Sequence, residues 1–448
     1  MDTLDGRLLI GGERREGRGE LHATWNPATG RMLESYSGAS SDDLADAVAA
    51  AVDAASAWSA TPQHERATQL DACADAVEAD AERICFAAVS EVGMLPKDAL
   101  GEIAVGARGL RTWAESARLT DETSWRALGS IAVISPWSSP IAAPLGKLGA
   151  ALAGGNSVVW KPAPYATYSA FALVQALTNL PSGTLNLVLG GDETAAALTR
   201  TGLDAVSFTG SRSTAAWLAQ ESLDAGGRFT ADVEGEVVAV VLHDTDVEVA
   251  AREVARGAYA VAGQRSAATK LVVAESAVAP AFREALIEHV STLEAGDPAV
   301  PGTAIGPLID ATAAYKVDDL ISGAVADGAR ILVGGRLLTA LGDRYYAPTI
   351  LEAAGAGAAL RPPVAPLIVL AEAAGDEQLV QVAKRPLGLA VFTADQERAA
   401  RLARSTRALA VRVNGVPEVA LYERAGLPRV LARPEDVSSL FIEKEVRL

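Results

Sequence analysis

The sequence predicts an α/β protein built from two parallel-sheet units with a cleft between them. Three observations carry this. From about residue 131 onward, short apolar runs alternate with stretches of helical period, as in a parallel sheet whose strands are joined by helical crossovers. The alternation comes as two successive series, one ending near residue 235 and the next beginning at about 236. A chain of 448 residues also exceeds what one core ordinarily supports, so two or three domains are expected.

The elements follow in order. Residues 7–37 read as short strands and turns, marked by Leu8-Leu9-Ile10-Gly11-Gly12 and the Asn26-Pro27-Ala28-Thr29-Gly30 turn. Residues 42–58 read as a helix that Ser41 can cap, with Leu44, Val48, Val52 and Ala55 on one face. One long helical stretch covers 62–95 and another roughly 97–119. Strands of the first series are expected at 131–134, 157–160, 185–189, 205–208 and 228–233. The second series gives a strand at 237–242, a helix at 246–260, a strand at 270–274 and two helices through 326. Strands at 330–334, 367–370, 389–392 and 410–413 complete it, with no fixed-period repeat and no low-complexity linker. In open α/β sheets ligands bind beyond the carboxyl ends of the strands, so the loops there are the places to look.

Composition excludes several classes of function. Half the residues are hydrophobic and 21% are charged, a globular balance. A formal net charge of −17 repels nucleic acid and anionic membranes, and no Lys/Arg run forms a basic patch. Cys73 and Cys85 lie in a segment of helical period and read as buried structural thiols; two cysteines in this length make no disulfide scaffold. His22, His64, His243 and His289 are scattered without metal-ligand spacing, so no metal is expected. The N-terminus lacks a signal-peptide pattern and no apolar run reaches the length of a membrane span, so a cytoplasmic location is expected. Gly190-Gly191 follows a strand but lacks a third glycine and reads as a turn rather than a phosphate cradle.

Several segments together, in the right order, resemble the aldehyde dehydrogenase superfamily. Pro136-Trp137-Ser138-Ser139-Pro140 is similar to that family's Pro-Trp-Asn-Phe-Pro loop, and 153–162 to its Ala-Gly-Asn-x-Val-Val-x-Lys-Pro segment, ending at Lys161-Pro162. Ser207-Phe208-Thr209-Gly210-Ser211 matches its cofactor turn, and Gly263-Gln264-Arg265-Ser266 its Gly-Gln-x-Cys. Gly306-Pro307-Leu308, Tyr346-Ala347-Pro348-Thr349, Leu387-Gly388-Leu389 and Val413-Asn414-Gly415 continue the series, so that the likeness spans 9–448. The resemblance implies a nucleotide-binding, Rossmann-like domain (1–114 with 129–235) and a catalytic-type α/β domain (236–417). It also implies a reduced oligomerisation element (115–128 and 430–448), whose tail strand would add to a neighbouring subunit's sheet. A homodimer and a small-molecule ligand in the interdomain cleft are expected with it.

The resemblance further implies NAD or NADP as cofactor, held by Trp137, Lys161, Phe208, Thr209, Gly210 and Ser211. Lys161, after a strand, suits a ribose hydroxyl, or reads as a solvated strand end. Phe208–Ser211 opens a helix whose N–H groups suit a pyrophosphate, or Ser211 is simply an N-cap. The catalytic positions depart from the family. Ser266 stands where the nucleophilic cysteine belongs, and a hydroxyl yields far less anion near neutral pH than a thiol. Ser138 replaces the oxyanion-binding Asn, a loss of one donor that costs on the order of 3 kcal/mol of barrier. Asp232, with Glu234 after it, occupies the region of the general-base Glu. Pro362 replaces a ribose-binding Glu in Pro362-Pro363-Val364-Ala365-Pro366, Pro164 an acidic residue and Ala215 a turn glycine, so nucleotide binding is expected to be weak or lost. The reading is a family member whose NAD(P)-dependent aldehyde oxidation is impaired. The alternatives are a non-redox enzyme on a carbonyl or ester using Ser266, Asp232 or Glu234, or a weak but genuine dehydrogenase.

Overall fold

The computed structural model describes residues 8–119, 126–233, 235–353, 364–383, 386–417 and 445–447. The chain opens with β1 (Leu8–Ile10) and β2 (Glu13–Arg15), an antiparallel pair, and the hairpin of β3 (Leu21–Trp25) and β4 (Met32–Ser37). Asn26 makes the hairpin turn: its side-chain oxygen accepts from the Ala28 and Thr29 N–H groups at 2.8 and 3.0 Å.

Four helices follow: α1 (Ser41–Ala60), α2 (Gln63–Ala79), α3 (Ala81–Val92) and α4 (Pro96–Leu119). The cap of α1 is Ser40, not Ser41. Its hydroxyl accepts from the Asp43 N–H while the Asp43 carboxylate accepts from the Ser40 N–H, a reciprocal pair that needs Ser and Asp three apart. The single stretch expected over 62–95 is two helices, broken at Asp80, whose backbone leaves helical geometry at φ −101° and ψ 18°. Periodicity of small apolar residues continues across the break, which is why the pattern alone hides it. Helix α4 runs to Leu119, so residues 115–119 form its last turn.

The first sheet comprises β5 (Ser130–Ser135), β6 (Ser157–Pro162), β7 (Leu185–Leu187), β8 (Ala205–Gly210) and β9 (Arg228–Val233) with β1 and β2. Crossovers are α5 (Ala142–Ala153), α6 (Thr167–Ala176), α7 (Asp192–Thr199) and α8 (Arg212–Asp224). The order is β2-β1-β7-β6-β5-β8-β9, parallel from β7 to β9 and antiparallel at the β1–β2 edge. Strands β5 and β6 are buried throughout, as expected of apolar strands covered on both faces.

The second sheet contains β10 (Val237–Val241), β11 (Thr269–Glu275), β12 (Arg330–Val333), β13 (Thr349–Glu352), β14 (Leu367–Ala373), β15 (Gly388–Phe392), β16 (Ala410–Val413) and β17 (Glu445–Arg447). Its helices are α9 (Val247–Tyr259, capped by Asp246), α10 (Ala279–Ser291), α11 (Ala311–Ala326), α12 (Asp376–Val382) and α13 (Gln396–Ser405). The order is β12-β13-β14-β11-β10-β15-β16-β17, with β12 antiparallel. Strand β13 was not expected: at four residues it is too short to show a period. Strand β17 pairs in parallel with β16 of the same chain, Val446 opposite Val411. The open edge of β16 offers the backbone partners a tail strand needs, and it lies within the same chain.

The halves share apolar packing, since Val261 and Ile309 of the second series belong to the core cluster of the first. Cys73 is buried within that cluster and its thiol is pushed up to about 12 by burial; Cys85 is half-buried, and both are free. Among the described residues no helix is long and apolar enough to cross a membrane, and no group of three or more His, Cys, Asp or Glu could hold a metal ion.

Candidate active site

Two loops meet at one buried carboxylate. The first leaves the carboxyl end of β5 as Pro136–Pro140 and enters α5, leaving Trp137 and Ser138 half-buried and Ser139 buried. The second follows α9 and carries Ser266. Glu102 of α4 lies between them, 3% exposed. One of its oxygens accepts from the Ile141 and Ala142 N–H groups at 3.1 and 3.3 Å, filling the otherwise unpaired first turn of α5. The Ser139 hydroxyl also hydrogen-bonds it, and Arg265 Nη2 lies 3.4 Å from its other oxygen. Burial raises the pKa of Glu102, opposed by the charge of Arg265 and by the hydrogen bonds. Ser138 and Ser266 are thus each the chain neighbour of a residue bound to the same carboxylate.

The Ser266 loop is held by unusual backbone. Val261, Ala262 and Gly263 lie consecutively in the left-handed region, at φ 52°, 53° and 70°. For a β-branched residue such as Val261 this is strained. The surroundings hold it there. The Val261 N–H donates to Asp98 of α4 at 3.3 Å. The buried Gln264 carboxamide donates to the carbonyls of Val261 and Pro307, both at 3.2 Å, and accepts from the Ile309 N–H at 2.8 Å. A Cβ on Gly263 would overlap the carbonyl oxygen of Ala365. The Gly-Gln pair therefore fastens this loop to residues 306–309 and lets it pass close against 364–366, which brings three of the motifs into contact. Ser266 itself is half-buried, and its hydroxyl has no hydrogen-bond partner among the described residues.

Asp232, the last residue but one of β9, has its side chain 52% exposed and is paired with a lysine. The Nζ of Lys147 on α5 lies 2.7 Å from its carboxylate and also donates to the Ser207 hydroxyl at 2.9 Å. Lys147 is 3% exposed at its side chain, so the ion pair anchors α5 to β8 and β9. Sequence reasoning missed Lys147, Glu102 and the role of Arg265. The signal for Lys147 was present: it is the only charge in the otherwise apolar α5, and a lysine so placed is buried only when paired. Glu234 and Pro362 lie outside the described residues.

The cofactor positions lie at the ends of β6 and β8. Lys161 is not a solvated strand end; it is 2% exposed, and burial lowers it to about 8, opposed by the charge of Asp192. No hydrogen bond holds its ammonium among the described residues. Thr209 presents a buried hydroxyl that likewise lacks a partner. Phe208 is buried against Phe229, with the Gly210 backbone too close to its ring for a Cβ at 210. Ser211 caps α8, accepting from the Thr214 N–H at 3.1 Å. Trp137 meets Tyr165 edge to face at 6.3 Å, and the Tyr165 hydroxyl donates to Asp310 at 2.8 Å. Buried donors without protein partners at strand carboxyl ends suit ribose and phosphate oxygens, whereas Pro164 and Ala215 offer none. These residues fit part of a dinucleotide.

The chain belongs to the aldehyde dehydrogenase family: the family model of that description matches residues 15–426. It is 30% identical to the mitochondrial succinate-semialdehyde dehydrogenase of Arabidopsis thaliana, over 73% of this chain and 65% of that one. It is also 30% identical to the vanillin dehydrogenase of Pseudomonas fluorescens, over 95% of this chain and 92% of that one. The fold is similar to the crystal structure of PnpE in complex with nicotinamide adenine dinucleotide, at a TM-score of 0.86 and 25% identity, covering 92% of this chain and 89% of that one.

Proposed function

We propose that this family member has impaired or lost NAD(P)-dependent aldehyde oxidation and binds a small-molecule ligand between its two α/β halves. Residues 1–114 with 129–235 serve as the nucleotide-binding part and 236–417 as the catalytic-type part. The observation that carries the reading is the state of Ser266: half-buried, with no hydrogen-bonded base among the described residues. A serine becomes an effective nucleophile when a neighbouring base takes its proton. Asp232, the nearest counterpart of the family's general base, is engaged by Lys147 instead. At Ser138 a short hydroxyl stands where the family places a carboxamide to hold an oxyanion.

Bound nicotinamide would accept a hydride. Lys161 and Thr209 would hold ribose and phosphate oxygens, and the start of α8 would face the pyrophosphate. With Pro164, Ala215 and Pro362 supplying no polar group, NAD and NADP are expected to bind more weakly than roughly micromolar. The unpartnered Lys161 favours a second reading, a weak but genuine dehydrogenase.

Absorbance at the reduced-nicotinamide band with a panel of aldehydes tests the proposal. No turnover is expected from the native chain and little from Ser266→Cys alone, since groups that act as a unit are not restored singly. Ser266→Cys with Ser138→Asn, Asp232→Glu and Pro362→Glu is expected to exceed any single change. Robust native turnover abolished by Ser266→Ala would sink the proposal.

A further inference from the structure

Glu102 and Arg265 lie outside every role assigned above, yet they sit where the two loops of the site join. Glu102 comes from α4, the helix whose first turn also supplies Asp98 to the strained Val261. Its carboxylate spends one oxygen on the start of α5 and the other on Arg265, with Ser139 also bound to it. Both partners are buried, Glu102 at 3% and Arg265 at 8% exposure, so their interaction is only weakly screened by water. A buried carboxylate bonded to several segments fixes their relative positions more tightly than apolar packing does. Among the described residues, the charged groups brought to these loops include Asp98 and Glu102 from α4 and Arg265 from the Ser266 loop, with Lys147 further along α5 paired to Asp232 of β9.

We propose that Glu102 and Arg265 form a positioning unit: the carboxylate holds the Ser138 and Ser266 loops in register and keeps the Arg265 guanidinium engaged, so that it does not act on the side chain at 266. The proposal rests on reading Ser138 and Ser266 as the site. It concerns how that site is held, so it stands or falls separately from whether the native chain oxidises aldehydes. Neither residue reacts. Glu102 acts through the loops, and Arg265 through the field it exerts on its neighbour when its partner is removed.

A cysteine at 266 serves as the reporter. In Ser266→Cys, the rate of alkylation by iodoacetamide is measured against pH, with the labelled residue identified by mass spectrometry. That profile gives the thiol's apparent pKa. Glu102→Gln in this background keeps the side chain's shape and one acceptor but removes its charge. Its expected effect is a fall of about one pH unit in that pKa, hence roughly tenfold faster labelling below it, because a negative charge beside Arg265 is removed. Arg265→Gln is expected to raise the pKa, and the double substitution to return close to the Ser266→Cys parent, because the two opposite shifts offset each other. Circular dichroism and thermal midpoints are followed throughout, and Glu102→Ala is included as a variant that also removes the acceptors for the α5 amides.

A role in packing alone would change stability and labelling amplitude while leaving the pKa in place. Unchanged pKa values in Glu102→Gln and Arg265→Gln, or shifts of the same sign, would overturn the proposal. If Glu102→Gln fails to fold, the Arg265→Gln profile decides alone: a raised pKa supports the unit and an unchanged one overturns it. A thiol at 266 that resists iodoacetamide in the native chain but reacts on unfolding would instead overturn the reading of 266 as an accessible site.

Discussion

Asp232 and Lys147 show how one side chain reassigns another. A carboxylate at the end of β9 invites a catalytic reading, but Lys147 is buried and Asp232 supplies its counter-charge across a 2.7 Å contact. Removing one member of such a pair strands the other. Asp232→Asn leaves a buried ammonium with only the Ser207 hydroxyl, whereas Lys147→Met removes the buried charge and leaves Asp232 half in water. Truncating one partner of a buried pair costs roughly 3–5 kcal/mol, and the exposure of Asp232 brings the expectation down to about 2 kcal/mol. Lys147→Met is expected to be nearly neutral. Urea unfolding midpoints of the two variants check this: Asp232→Asn should be the less stable. The reverse order would show that Asp232 is not held for the sake of Lys147.

The elements around the site are joined by contacts that only certain residues permit. At Gly263 the left-handed backbone and the adjacent Ala365 carbonyl both exclude a side chain. Gly263→Ala is expected to cost about 3 kcal/mol or more, or to abolish folding, because a backbone carbonyl cannot step aside as a flexible side chain can. Soluble yield and thermal midpoint report this; a variant within about 0.5 kcal/mol of the native chain would mean that the loop repacks. On the far side of the second sheet, Glu275 at the end of β11 accepts from Arg398 of α13 at 2.9 Å and from the His243 N–H at 2.9 Å. The Arg398 guanidinium, and after it His243, holds the Glu275 carboxyl at about 2, below its ordinary 4.5. A lowered pKa means that the folded state favours the charged form. Its contribution is complete above about 4.5 and disappears as pH falls toward about 2. Glu275→Gln should therefore destabilise the protein by on the order of 2 kcal/mol at neutral pH. The gap from the native chain should close across that acid window in denaturant titrations; a gap constant with pH would exclude the charge as its source.

Among the described residues the molecule has two large sheets, a separate two-stranded hairpin and a partly shared core, tied at several points. Arg344 and the Tyr345 hydroxyl donate to the carbonyls of Asn26 and Ala28, so the N-terminal hairpin is fixed to the second half. Tyr165 reaches Asp310 in the same way. A homodimer remains our proposal for the assembly, on the strength of the family resemblance and the short connection between Leu119 and β5. Light scattering should give a dimer. A stable tetramer would refute the argument from the short connection, and a monomer the proposal itself.

By itself the sequence determined the α/β class, the two series of strands and the family, and by resemblance it singled out candidates for the nucleophile, oxyanion and base positions. These are local properties: apolar runs mark buried parallel strands, and motifs keep their order along the chain whatever surrounds them. The tertiary structure decided what those residues touch. The Asp232–Lys147 pair spans 85 residues of sequence and the Glu102–Arg265 pair 163, distances at which no periodicity or spacing speaks. Lys161 read as exposed or ribose-facing from its place at a strand end, and only the packing of neighbouring elements buries it. The cap at Ser40, the break at Asp80 and the pairing of β17 likewise turn on which backbone groups find partners. That is settled when the chain folds back on itself: a buried polar group must be satisfied by whatever lies beside it in space.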